Sequence, residues 1–265
     1  MKLAVLGTGN LGKAIAHGLV QNRAYTQMIL TRRDLSSLES FQVYPQLQLL
    51  SDNVEAARQS DILLLCVQPP QLPALLEEIK PVLTDKHVLI STVTGFSLSQ
   101  MEAILGEHTF LIRAMPNTAI AVGQSMTCIC ANAAGTKRIE IAEAIFEKLG
   151  HSLRIAEEHM QAATVICASG IAFWMRLIRA STQGAIQLGF DAKEAQLLAM
   201  HTCQGAASLL IEGGAHPEAE IDQVTTPMGC TIEGLNEMEH QGLSSSLIRG
   251  MLASFNKISE MKPKN

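Results

Sequence analysis

Ring-bearing side chains are scarce in this sequence: Phe, Trp and Tyr make up 4% of 265 residues, whereas methionine alone occurs 12 times. A core with so few rings has to be built from Ala, Leu, Ile and Met, as closely packed helices are, and that excess falls in the second half of the chain. Paired cysteines are missing too. The six, Cys66, Cys128, Cys130, Cys167, Cys203 and Cys230, lie scattered through apolar segments without a C-x-x-C. That signals neither a disulfide framework nor a zinc site and leaves them as small buried hydrophobes in a reducing compartment. The eight histidines form no H-x-x-x-H, and His151 and His159 are too far apart to share a helix face with a carboxylate, so no metal site is signalled.

Basic charge is in deficit: 20 Lys and Arg against 25 Asp and Glu give a net charge of −5, with the basic residues scattered. Nucleic acid, which needs a basic face, is therefore not an expected partner. Long apolar runs are absent as well; the longest uninterrupted one, Ile62 to Val67, is far too short for a bilayer, so no membrane is expected either. Met1-Lys2 leads straight into Leu3-Ala4-Val5-Leu6-Gly7 with no small-residue cleavage site behind a long apolar region, and the expected location is the cytoplasm.

What the sequence does contain is a change of period near residue 157. Before it, continuous apolar runs read as strands: Lys2 to Leu6, Met28 to Thr31, Ile62 to Val67, His87 to Thr92, Phe110 to Ala114, Met126 to Ala131 and Ser152 to Ile155. Amphipathic segments alternate with them, at Leu11 to Gln21, Leu35 to Phe41, Asn53 to Ser60, Gln71 to Ile79, Leu98 to Leu105 and Lys137 to Leu149. Such alternation predicts an α/β fold with a parallel sheet covered on both faces. Asp34 and Ser97 stand where helix N-caps belong, and Gly150 where a helix should end.

After residue 157 the strand signals stop. Met160 to Gln187 reads as one long helix ended by Gly189, and Ala192 to Glu212 as a second ended by Gly213-Gly214. A turn at Pro217 to Gln223, a loop at Thr225 to Pro227, and helices over Cys230 to His240 and Leu243 to Met261 follow. These helices are apolar on more than one face, and so small a domain has too little interior to cover them. The expected arrangement is a nucleotide-binding domain over 1–157 and an all-α domain over 158–265 that pairs with a second copy of the chain.

The strongest motif is Gly7-Thr8-Gly9-Asn10-Leu11-Gly12, a G-x-G-x-x-G between the first strand and the first helix. Gly7 permits the tight turn, Gly9 lets backbone approach a pyrophosphate, and Gly12 allows helix and sheet to pack closely, with the helix dipole favouring the anion. Where an acidic residue would bind the ribose of NAD, the second strand ends in Thr31-Arg32-Arg33, which suits a 2′-phosphate; NADP(H) is expected, with NAD(H) as the alternative. Asp34 is read as a cap. Two further loops, Val67-Gln68-Pro69-Pro70 and Thr92-Val93-Thr94-Gly95, lie at strand carboxyl ends, where ligands bind in such sheets. The tandem prolines are either a rigid wall for a nicotinamide ring or an ordinary first helical turn.

With Arg113-Ala114-Met115-Pro116-Asn117-Thr118, the sequence resembles the pyrroline-5-carboxylate reductase family, and the likeness runs through nearly the whole chain. It takes in the glycine loop, Asn53, Val67-Gln68-Pro69, Ser169-Gly170, His216-Pro217 and, most specifically, Asp222 through Ile232 with Thr226-Pro227-Met228-Gly229-Cys230-Thr231 at its centre. The resemblance implies a Rossmann domain followed by a helical domain interleaved with a partner's, as a homodimer or a pentamer of dimers, with the active site between one subunit's nucleotide domain and helices of the dimer. It also implies reduction of 1-pyrroline-5-carboxylate to proline. Asn53, Val67, Gln68, Pro69, Thr92, Thr94, Met115, Pro116 and Asn117 would then join the glycine loop on the cofactor side, and Ser169 and Thr226 to Thr231 would hold the substrate. Four positions depart from the family pattern: Cys167-Ala168-Ser169-Gly170-Ile171-Ala172 stands for S-G-S-G-P-A, Met228 for the first of two glycines, Gly214-Ala215 where a glutamate precedes His-Pro, and Gln68 for a lysine.

The residues suit that chemistry. Hydride reduction of a protonated cyclic imine needs no metal or nucleophile, only an anionic substrate held with its imine carbon at the nicotinamide C4. Backbone amides before the helix at Cys230 and the Thr231 hydroxyl can grip a carboxylate, and the resemblance places this threonine near the imine nitrogen; Thr231 also reads as a helix cap. A hydroxyacid dehydrogenase would need a base on the helix after Ser169-Gly170, which offers only Arg176 and Arg179. A non-catalytic NADP-binding sensor is the remaining alternative.

Overall fold

The computed structural model describes residues 2–22 and 25–260; Met1, and Met261 to which the last helix extends on the sequence reading, lie outside them. By contact the chain groups into two units, one of residues to Ser169 together with those from Phe255, the other Gly170–Ser254.

Among the described residues the first unit has eight strands: β1 (Lys2–Leu6), β2 (Gln27–Thr31), β3 (Leu47–Leu50), β4 (Ile62–Leu65), β5 (Val88–Ser91), β6 (Phe110–Met115), β7 (Ser125–Ala131) and β8 (Gly150–Arg154). Their spatial order is β3-β2-β1-β4-β5-β6-β7-β8, parallel throughout except for the antiparallel pair β6 and β7. Alternate residues of β1 feed two cores. Leu3 and Val5 pack with Ile15, Leu19 and Phe146 on one face, Ala4 and Leu6 with Leu63, Leu65 and Leu76 on the other. Both faces are covered by helices, α1 (Asn10–Gln21), α2 (Asn53–Arg58), α3 (Leu72–Ile79), α4 (Leu98–Leu105) and α5 (Ile139–Phe146) among them. Continuous apolar strands are the expected pattern for such a sheet.

Local chemistry sets the element ends. Asp34 caps the 3-10 helix Leu35–Phe41, its Oδ1 accepting the Ser36 amide at 3.0 Å and the Ser36 hydroxyl at 2.7 Å. That hydroxyl donation, more than any other cause, holds the Asp34 carboxyl below the usual carboxylate range. Ser97 and Gln100 form a reciprocal capping box at α4. Gly150 closes a 3-10 turn and opens β8 at φ +144°, where an added Cβ would fall 2.1 Å from the Ser125 carbonyl oxygen, so the strands approach more closely there than a side chain allows. Buried Asn132 ties β6 to the turn after β7, its Oδ1 accepting from Leu111 at 3.2 Å and Gly135 at 2.6 Å. β3, absent from the sequence reading, is an edge strand whose Leu47, Gln48, Leu49 and Leu50 are all only half-buried, so it shows neither clean alternation nor a fully buried run.

In the helical part, the segment read as one helix divides into α6 (Met160–Ala163), a π-helical turn Thr164–Ser169, and α7 (Gly170–Gln187). Gly189, at φ +108°, turns the chain into α8 (Ala192–Gly213), which packs along α7. Pro217–Val224 is a helix, α9, rather than a turn: His216 caps it through Nδ1, accepting from the Glu218 amide at 3.3 Å, and Pro217 fills its first position. α10 (Cys230–His240) and α11 (Leu243–Glu260) follow where helices were expected.

Uninterrupted apolar runs understated one feature. Glu157–Gln187 is, by length and composition, apolar enough to cross a membrane, with a mean hydropathy of 1.4 over its best window. Polar residues such as Arg176, Arg179 and Gln183 break the run and hide it from a search for continuous apolar sequence. Trp174 is 55% and Ile211 76% exposed, and α7 and α8 bury only Gly170, Thr182 and Ala195. So much uncovered apolar surface needs a partner surface. Leu198→Lys, on α8, is expected to yield monomers or insoluble protein, because burying an unpaired ammonium costs several kcal/mol. Light scattering checks this, and a soluble, fully active monomer from the unmutated chain would refute it.

Candidate functional site

β2 and β3 follow β1 on one side, and the crossover from β3 then returns to place β4 on its other side, so the strand order reverses at β1 and opens a crevice at the carboxyl ends of the strands. A cleft of about 410 Å³ occupies that place, lined by Gly7, Thr8, Gly9, Thr31, Arg32, Arg33, Asn53, Val67 and Gln68, together with Gln71 and Glu78. Residues that the sequence expectation drew from Gly7 as far along as Gln68 thus share one cavity.

The three loop glycines have separable reasons. Gly7 sits at φ +90°, and a Cβ there would lie 2.5 Å from Val67 Cγ1. At Gly12 a Cβ would meet the Gly7 carbonyl oxygen at 2.8 Å. Gly9 differs: beyond its own chain neighbours and helix backbone, nothing lies within 4 Å of where a Cβ would stand. The open space beside it, at the start of α1, fits a pyrophosphate brought against backbone. Lys13 makes the first intrahelical bond, to the Gly9 carbonyl at 2.9 Å, so the amides of Asn10, Leu11 and Gly12 are the first-turn donors.

Thr31 fixes this loop to β2. Its hydroxyl accepts from the Gly7 amide at 3.2 Å and donates to Asn53 Oδ1 at 2.6 Å, while its carbonyl accepts from the Thr8 amide at 2.9 Å. Asn53 Nδ2 in turn donates to the Glu78 carboxylate at 3.2 Å. Glu78, on α3, was not marked by any motif, and only the fold connects it to the loop. Arg32 donates through a guanidinium nitrogen to the Thr8 carbonyl at 2.6 Å, whereas Arg33 is exposed at the cleft. Cys66 also lines the cleft; burial pushes its thiol up to about 11, so it stays neutral there.

The other cofactor-side residues are not gathered into this cleft. Pro69 and Pro70 form a 3-10 turn at the start of α3, with Gln68 and Gln71 as its capping pair. Buried Thr92 gives its hydroxyl to the Leu65 carbonyl at 3.1 Å, and Thr94 lines a second cavity of about 600 Å³ with Arg113, Gln161 and Thr164. Met115 is buried at the end of β6, Pro116 follows it, and Asn117 caps the 3-10 helix Thr118–Val122 by accepting from the Ala119 amide at 3.0 Å. Arg113 donates to Glu157 at 2.9 Å, and its Nε is buried with no partner among the described residues.

In the second unit, Thr226 to Gly229 form a turn closed by the Gly229 amide on the Thr226 carbonyl at 2.9 Å. Pro227 takes its second position and Met228 its third, at φ +58°, a place ordinarily taken by glycine. A Cβ at Gly229 would fall 2.5 Å from Thr226 Oγ1. Gly229 is the N-cap of α10, with no side-chain cap bond, so Thr231 is the second helical residue and not the cap. Its exposed hydroxyl and the neighbouring Cys230 stand at the positive end of that helix. Ser169 belongs to the first unit, as the last residue of the π-helical turn.

Thr31→Val is expected to leave Gly7 N–H and Asn53 Oδ1 without their partner and to weaken dinucleotide binding by about 1–3 kcal/mol, roughly 5- to 150-fold. Glu78→Gln, which keeps an acceptor for Asn53, should have a much smaller effect. Titration followed by reduced-cofactor fluorescence checks both, and equal losses would show that Glu78 acts other than through Asn53.

Known proteins match both halves. Residues 157–261 fit the family model for pyrroline-5-carboxylate reductase dimerisation, and residues 2–95 fit that of an NADP oxidoreductase, coenzyme F420-dependent. Pyrroline-5-carboxylate reductase 1 of Dictyostelium discoideum is 43% identical over 98% of this chain, which spans about half (49%) of that longer protein. Pyrroline-5-carboxylate reductase 2 of the same organism is 42% identical over 97% of this chain and 92% of its own length. Among solved structures, a pyrroline-5-carboxylate reductase from Coxiella burnetii superposes with a TM-score of 0.91 at 27% identity, covering 99% of this chain and 98% of that one. By sequence along nearly its whole length, and by the self-associating helical half that follows its nucleotide-binding fold, the chain belongs to the pyrroline-5-carboxylate reductase family.

Proposed function

We propose that this protein reduces 1-pyrroline-5-carboxylate to proline, with NADPH as the preferred cofactor. The observation that carries the reading is the cleft at the β1 and β4 ends, with open space at Gly9 and two arginines where β2 ends. NADPH, when bound, supplies the hydride. The chain's own residues bind and orient. The first-turn amides of α1 receive the pyrophosphate, and Arg33 with Arg32 receives the 2′-phosphate. At the start of α10 the backbone amides hold the substrate carboxylate, and the Thr231 hydroxyl hydrogen-bonds at the imine nitrogen. Ser169 contributes on the substrate side, and Thr92, Thr94, Met115, Pro116 and Asn117 line the nicotinamide end. No side chain has to remove a proton from carbon, because the protonated imine is already electrophilic.

The helical residues 158–265 act as the pairing domain, in a dimer or a pentamer of dimers. The apolar face of Glu157–Gln187 is assigned to the partner rather than to lipid, because the dimerisation model covers this stretch. The cytoplasm, where such a cofactor is available, is the location that goes with this reading.

Loss of NADPH absorbance on adding pyrroline-5-carboxylate tests the function; turnover of a 2-hydroxy acid with NADP instead, or of neither, would overturn it. Within that assay, Arg33→Glu should raise the KM for NADPH by on the order of tenfold or more through loss of a charge-assisted bond, and leave NADH nearly unchanged. Arg32→Glu should impair both cofactors, since Arg32 also holds the Thr8 carbonyl. Equal effects of Arg33→Glu on both cofactors would remove it from 2′-phosphate recognition.

Thr231→Ala is expected to lower kcat/KM for the imino acid by about 1–3 kcal/mol, or roughly 5- to 150-fold, with NADPH affinity unchanged. Thermal stability should stay level, because Gly229 and not Thr231 caps α10 and alanine is a good helix former. Normal turnover of this variant would leave the α10 amides as the only substrate contacts from this segment.

A further inference from the structure

The fold brings two cysteines together that no sequence spacing connects. Cys128, on β7, and Cys167, in the π-helical turn Thr164–Ser169, place their sulfurs 3.9 Å apart across 39 positions of sequence. Both belong to the first unit. Cys128 is buried and Cys167 half-buried. On the sheet side Cys128 is registered against Met115, whose sulfur accepts the Thr94 hydroxyl at 3.7 Å; on the helical side Cys167 stands two residues before Ser169. The pair therefore links the sheet beneath the Met115-Pro116-Asn117 segment to the turn that leads into α7. A π turn is a local departure from α-helical geometry of a kind frequent at functional sites.

We propose that Cys128 and Cys167 are a dithiol modification site, oxidised reversibly by a hydroperoxide to an intrachain disulfide that displaces the turn ending at Ser169. The Cys167 thiolate attacks hydrogen peroxide and breaks the O–O bond. Its sulfur keeps one oxygen as a sulfenic acid, and the other leaves as hydroxide, which takes up the proton released by Cys167 to become water. The Cys128 sulfur then attacks the Cys167 sulfur, the S–O bond breaks as the S–S bond forms, and the departing hydroxide carries off the Cys128 proton as a second water. Two thiols lose two electrons and the peroxide gains them. The contact between the sulfurs favours this order: it lowers the pKa of Cys167, while together with burial it raises that of Cys128. Cys130, two residues along the same strand, has its thiol pushed up to about 11 by burial and serves as an internal control. Bond formation shortens the sulfur separation from 3.9 Å to about 2 Å, which draws the turn toward β7.

Only the effect on turnover rests on the proposed reductase activity; the bond itself does not. The full chain is treated with hydrogen peroxide, then alkylated and digested, and its peptides are weighed. The expected result is a Cys128–Cys167 linked peptide lacking two hydrogens, reversed by dithiothreitol, and absent from both Cys167→Ser and Cys128→Ser. Imino-acid turnover should fall with the linked fraction by on the order of ten- to a hundredfold, as displacement of a binding segment by about 1 Å can do, and return on reduction. Cys167 oxidised to sulfinic or sulfonic acid without the link, or a link to Cys130, would overturn the site. Unchanged turnover in fully linked protein would overturn the displacement. A linked chain whose reduced form never turns over the imino acid would instead count against the reductase reading, with the dithiol intact.

Discussion

Enclosure of β1 governs the rest of the molecule. Neighbouring strands occupy both its edges and apolar cores both its faces, so Leu3 to Leu6 have no contact with solvent. Its backbone polar groups must be satisfied within the sheet, and the chain can meet water only where the strand ends. The glycine loop emerges at that end because the opposite crossovers on either side of β1 leave the carboxyl edge uncovered. The position of the cleft follows from strand order before any cleft residue is considered.

What then shapes the cleft is a short chain of polar contacts rather than packing. Gly7, Thr31, Asn53 and Glu78 come from the first loop, β2, α2 and α3, and each orients the next. An apolar support could hold the loop in place but could not orient an amide. The turn at Met228 is built on the opposite principle: a non-glycine residue occupies a left-handed conformation, with a fully exposed side chain and no contact to compensate it. Such a conformation costs about 1–2 kcal/mol of backbone energy, and at Met228 it is borne on the surface.

Much of this was legible in the sequence, for identifiable reasons. Strands buried on both faces announce themselves as apolar runs, and G-x-G-x-x-G, Asp34 and Ser97 carry their geometry in side-chain size or a capping oxygen. β3 was not legible, since half-burial on all four residues leaves no pattern, and Pro217 looked like a turn although proline also opens helices. The cap of α10 could not be assigned from Gly229, Cys230 and Thr231 alone. Glu78, 25 residues from Asn53, and Cys128 with Cys167 are pairings made only by tertiary structure, which a spacing rule cannot reach. The Gly9 opening was legible in part: its glycine was apparent, but that a side chain there would meet no packed neighbour was not.

The last helix has a further consequence. Gln161 donates to the Phe255 carbonyl at 2.8 Å and to the Ser259 hydroxyl at 2.6 Å, closing loops of 94 and 98 residues around the whole helical unit. The sheet and its crossovers are joined by short connections and can assemble as the polypeptide emerges, whereas this clasp has to wait until α11 has been synthesised. During that interval α6 lacks both hydrogen bonds from Gln161, so this helix is the part of the first unit whose bracing comes last along the chain.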